Sequence, residues 1–258
     1  MPSRISFPSF LSSHRASVGC ESISLSREDQ SPDLATCMTA ASDLKTLVAT
    51  LRTRISEGTL DAAAVQGATG ELASIGYAYD DSLFPPLPKD LEDPGTDLQA
   101  PNSLAEALLW KMGKWKVYKS FASHYSDSSS LPTTTDVVFY AFAKHLKNRS
   151  LPIYDQHALR ALWAIDAKLS DGQASTCRHL LTKKDGYWKP IASGSKSPKG
   201  YELYVSRIAK LCEEGIAHED FDKLLMPLGQ ALKDFTKNVG EFVSLAGCAG
   251  YQPAPPEA

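Results

Sequence analysis

The sequence predicts an all-α fold, one multi-helix globular domain over residues 38–250 with disordered ends. Three observations lead there. Apolar residues recur at three- and four-residue spacing along most of that span, which is the period of an amphipathic helix. Gly, Pro and Asp/Ser positions stop and start these segments at helix-like lengths. No alternating run rich in β-branched residues is long enough to make a strand.

Ser42 is a cap for a first helix whose apolar face is Leu44, Leu47, Val48, Leu51 and Ile55, and Gly58 stops it. A second helix is expected from Leu60 to Ile75, ending at Gly76. Residues 77–101 carry Pro85, Pro86, Pro88 and Pro94 and read as a loop. It drapes over the core through Tyr77, Tyr79, Leu83 and Phe84, or separates two lobes of the domain. Ser103 and Glu106 form a capping box for a helix running on to about Phe121. Asp127–Ser130 is a turn, and a helix is expected from Thr133 to Leu146. Asp155 opens a helix bearing Ala158, Leu159, Leu162 and Ile165. A shorter helix is expected near Gly172–Leu181, then a loop from Gly186 to Gly200. Two last helices are expected at Tyr201–Glu214 and His218–Val239.

The ends read differently. Residues 1–37 are Ser-rich without helical period, and Arg4 and Arg15 occur without an acid before Glu21. That pattern fits an organellar targeting segment or a start codon set too early, with Met38 as the functional start. The Pro-rich tail, residues 251–258, is expected to be disordered.

Composition narrows the function classes. A chain of 258 residues, 43% hydrophobic and 22% charged, can bury a sizeable core. Its net charge of −3 argues against wholesale coating of nucleic acid, though not against a local basic patch. No apolar run is long enough to span a membrane, and no membrane partner is expected. Cys20, Cys37, Cys177, Cys212 and Cys248 are scattered, with no C-x-x-C and no zinc-type spacing. They read as free thiols in a reducing, cytoplasmic setting, and neither a metal nor a cofactor is expected. Phosphate-binding loops, dinucleotide fingerprints, G-x-S-x-G and H-E-x-x-H are all absent from the sequence.

The most informative stretch is Leu151-Pro-Ile-Tyr-Asp-Gln-His-Ala-Leu-Arg160. Asp155, His157 and Arg160 stand at the spacing D-x-H-x-x-R, and Leu131-Pro132 lies upstream. Over residues 131–165 the chain resembles the helix-hairpin-helix DNA glycosylases, in a degenerate form. The resemblance implies an all-α core and DNA as partner. It implies a catalytic aspartate, Asp155, which would stabilise the positive charge that develops on the sugar as an N-glycosidic bond breaks, or activate the attacking water. The target base would first leave the stack. Three positions depart from the family. Its hairpin glycines fall on Thr133 and Thr135, where a Cβ obstructs close approach to a phosphate. Its strand-cleaving lysine falls on Val137, which removes Schiff-base chemistry there. Asp155 also reads simply as a helix cap. His157 also reads as a satisfied histidine, and Arg160 as the partner of an internal acid.

Trp110–Lys119 holds Lys111, Lys114, Lys116 and Lys119 with Trp110, Trp115 and Tyr118 and no acid. Cations beside rings suit a nucleic-acid surface, or equally a packed face with solvated lysines. Lys144, His145, Lys147 and Arg149 form a second basic run, and Lys183, Lys184, Lys189, Lys196 and Lys199 a third. The candidate nucleic-acid contacts are therefore Lys111, Lys114, Lys116, Lys144, Lys147, His157 and Arg160. The expected function is base excision by a monofunctional glycosylase. The alternative is a non-catalytic helical binding protein on the same scaffold.

Overall fold

The computed structural model describes residues 34–80, 99–127, 129–132, 136–181, 198–213 and 215–247, which all belong to one compact unit beginning at Leu34. Among them are ten helices and no strand. Helix α1 (Leu34–Glu57) starts ahead of the expected Ser42 cap; the Ser42 carbonyl instead accepts the Thr46 hydroxyl inside the helix at 3.0 Å. Its expected face of Leu44, Leu47, Val48, Leu51 and Ile55 is buried throughout. Gly58 ends it at φ 69°, a left-handed conformation that glycine adopts without a Cβ clash. Helix α2 (Ala62–Ser74) is capped by Asp61, whose carboxylate accepts the Ala64 amide at 2.8 Å. Beyond it Tyr77 packs on Phe235, and its hydroxyl donates to Asp234 at 3.3 Å. Leu83 and Phe84 lie outside the described residues.

The capping box forms as expected at the start of α3 (Leu104–Lys111). The helix does not continue to Phe121, however. Gly113 turns the chain at φ 70°, and α4 (Trp115–Ser126) begins anew. Helix α5 (Val137–Lys147) packs on α4, and Tyr125, Ala143 and Leu146 make a small cluster with Phe121.

The main core is built around α6 (Gln156–Ile165), which is buried from Ala158 through Ile165. It is flanked by α1, α7 (Asp171–Leu181), α9 (His218–Phe235) and α10 (Val239–Ala246). At its closest approach to α9 stands Gly229, where an added Cβ would lie 1.9 Å from the His157 carbonyl oxygen. Helix α8 (Pro198–Cys212) starts inside the expected Gly186–Gly200 loop, the rest of which lies outside the described residues. Buried Arg207 anchors α8 to the end of α6 through a two-pronged pair with Asp166, at 2.6 and 2.9 Å. The helix expected to run from His218 to Val239 ends at Phe235, and a further helix, α10, begins at Val239. The backbone is extended at Thr236, and Asn238 caps α10 by accepting the Glu241 amide at 3.0 Å.

Candidate functional site

Asp155 sits in extended backbone at the start of α6, where its Oδ1 accepts the Ala158 amide at 2.7 Å. The residue is half-buried, and among the described residues Oδ2 accepts no hydrogen bond. The approach to it is fixed on three sides. His145 Nδ1 donates to the Leu151 carbonyl at 2.6 Å, and its Nε2 accepts from Arg149 at 3.1 Å. That pattern requires the neutral ring, and burial lowers the His145 pKa accordingly. The Ile153 amide donates to the Asp222 carboxyl oxygens at 3.1 and 3.3 Å. Tyr154 is buried between the rings of Tyr201 and Tyr204, at 5.4 and 5.3 Å.

His157 and Arg160 face α9. Arg160 is buried, donates to the Gly229 carbonyl at 3.2 Å and lies 3.5 Å from His157 Nδ1. Burial draws its pKa down to about 10, with the Asp155 charge opposing. It remains a cation at neutral pH, but an interior one, so the expectation of a phosphate contact from Arg160 does not fit this geometry. His157 is half-buried, and burial lowers its pKa too.

Asp222 was not singled out from the sequence. It lies on α9, is buried, and carries a pKa pushed up to about 8, mainly by burial, with Glu219 and Asp155 adding like charge. Among the described residues the buried hydroxyls of Tyr154 and Tyr204 have no hydrogen-bond partner. The charges of Asp222 and Asp155 help to raise Tyr204. Asp155 thus borders an interior polar patch of one carboxyl, Asp222, and two phenols. The available signal was its spacing: Asp222, Leu225 and Gly229 recur at three and four residues, so the acid sits on the core stripe of α9.

The lysines divide into two groups. Lys144 donates to the Asp127 carbonyl at 2.9 Å, and Lys147 to those of Tyr125 and Ser126 at 2.9 and 3.3 Å. Both therefore complete the C-terminal end of α4, where cations complement the helix dipole. Lys111, Lys114, Lys116 and Lys119 are exposed on α3, α4 and the turn between them. The Asp155 charge opposes the lowering of the His157 and Arg160 pKa values by burial, whereas the charges acting on Lys144 are Lys147 and Asp127. The geometry therefore joins Asp155 to α8 and α9, and Lys144 to α4. Val137, where the resemblance would put a nucleophilic lysine, is fully buried. Thr133, Thr135, Lys183, Lys184, Lys189 and Lys196 lie outside the described residues.

Grooves of 710 and 350 Å³ run along α1 and between α1 and α2, and one of 340 Å³ lies beside Arg207. Asp155 lines none of these three. Among the described residues no three His, Cys, Asp or Glu side chains could together hold a metal ion, and no helix is long and apolar enough to cross a membrane. Cys177 is buried and Cys212 half-buried, and burial raises the Cys212 pKa to about 11. Compared with known proteins, the chain matches no family model, no curated protein and no solved structure.

Proposed function

We propose that this is a DNA-binding protein on a glycosylase-like helical scaffold, in which Asp155 promotes hydrolysis of an N-glycosidic bond without a covalent lysine intermediate. One observation carries the reading. Asp155 fixes its position with Oδ1 on the Ala158 amide, while among the described residues Oδ2 accepts no hydrogen bond at the N-terminus of a buried helix. A carboxylate so placed is held by the positive end of the helix dipole. It can stabilise the cationic sugar or orient a water. The buried Val137 is consistent with a monofunctional reaction.

A second reading is a binding protein that keeps the scaffold without the chemistry. The interior Arg160, and the engagement of Lys144 and Lys147 with α4 carbonyls, favour it.

The test is base release from duplex oligonucleotides carrying a panel of damaged bases, wild type against Asp155→Asn. Asparagine still caps the helix, so the variant stays folded. Under the first reading wild type releases a base and the variant loses about 10²–10⁴-fold. DNA binding without release from either protein supports the second reading. Neither release nor binding removes both.

A further inference from the structure

Helix α3 is turned inside out. Its acid, Glu106, is buried, whereas Leu104 is 89% exposed and Leu108, Trp110 and Met112 are each 59% exposed. The arrangement is held in place. Glu106 Oε1 accepts the Tyr118 hydroxyl of α4 at 2.5 Å, and Oε2 accepts the amides of Asn102 and Ser103 at 2.5 and 3.1 Å. Leu104, Leu108 and Met112 are four residues apart and form one outward row. Every exposed large hydrophobic among the described residues lies between Leu104 and Phe142. Lys111 lies beside this row on α3, Lys114, Lys116 and Lys119 follow in the turn and on α4, and none of these four exposed side chains has a hydrogen bond or ion pair with another described residue. From Ala107 to Ser126 the sequence contains no acid.

We propose that the α3–α4 hairpin docks on an anionic lipid surface. Leu104, Leu108 and Met112 enter the interface, and the lysines meet the headgroups. The charge selects this occupant. A second copy would bring four lysines against four, which repels. A nucleic acid would leave the aliphatic row of Leu104, Leu108 and Met112 in water. A stable protein partner would need a fitted apolar and acidic face of roughly 800 Å². Membrane docking has no such threshold, because a few apolar side chains and several lysines act together on a fluid surface. The mode is peripheral, in keeping with the lack of a crossing helix among the described residues. It is also independent of any catalytic role for Asp155.

The experiment is flotation of the full chain with vesicles of equimolar phosphatidylcholine and phosphatidylglycerol, and with phosphatidylcholine alone. Wild type is expected to float with the anionic vesicles at low salt and to be released by salt. Leu104→Glu with Leu108→Glu, both at exposed positions, should weaken binding more than tenfold with an unchanged circular dichroism spectrum. Replacing a lysine of the hairpin by glutamine should cost roughly fivefold each. The proposal is overturned if wild type does not float on anionic vesicles, or if the folded double variant floats as well as wild type. It is equally overturned if an oligonucleotide protects the hairpin lysines while vesicles do not.

Discussion

At the scale of single residues, Asp155 separates two kinds of contribution. Its Oδ1 bond to the Ala158 amide is a structural bond, one of the orphan amides of α6 satisfied by a side chain. Asparagine offers the same oxygen, whereas alanine offers none. Asp155→Ala should therefore lower stability by about 1 kcal/mol, and Asp155→Asn by only a few tenths. Denaturant titration of the two variants checks this. Equal losses would mean that the negative charge beside Arg160, rather than the cap, is what stabilises the fold. The cap was legible in the sequence because an N-cap depends on one residue and the three that follow. Asp222 was not, because its contact with Ile153 spans 69 residues.

At the scale of elements, local chemistry set helix starts more clearly than helix breaks. The Ser103 and Glu106 box was readable as written, since both halves lie within one turn. The break at Gly113 was not, because a lone glycine inside a helix costs only about 1 kcal/mol and is often tolerated. The Asn238 cap sits within a sequence that continues the helical period of α9, so the period hid it. Gly229 shows the opposite case, a glycine demanded by tertiary packing. A Cβ there would meet the His157 carbonyl oxygen at 1.9 Å and its carbonyl carbon at 2.4 Å. Both are backbone atoms, so relief requires α6 and α9 to separate. Gly229→Ala should destabilise by about 3 kcal/mol or more. Gly67→Ala on α2 meets nothing within 4 Å and should instead stabilise by up to about 1 kcal/mol. Thermal melts of the pair distinguish packing from propensity; two variants moving in the same direction would contradict the close crossing.

At the scale of the whole molecule, the fold class followed from periodicity, while the surroundings of Asp155 depended on how distant helices meet. That assembly leaves a pH signature. Burial lowers the pKa values of His145 and His157, so the folded state binds fewer protons than the unfolded chain. Their contribution is present above about pH 6.5 and is lost as pH falls through the folded values. Asp222 acts in the opposite sense. Its folded pKa of about 8 lies far above an ordinary carboxyl, so its contribution is complete below about pH 4 and is lost as pH rises towards 8. Just below about pH 6.5 two histidines oppose one carboxyl, though solvent screens the half-buried His157. Above it Asp222 acts alone among the three. Stability should therefore peak near neutrality and decline between about pH 6.5 and 8, with a slope approaching 1.4 kcal/mol per pH unit. Asp222→Asn, which removes the ionisation and keeps an acceptor for the Ile153 amide, should flatten that alkaline limb and leave the acidic limb in place. Urea midpoints measured from pH 5 to 9 decide it. An unchanged alkaline slope in the variant would show that Asp222 is not the group being ionised as the pH rises.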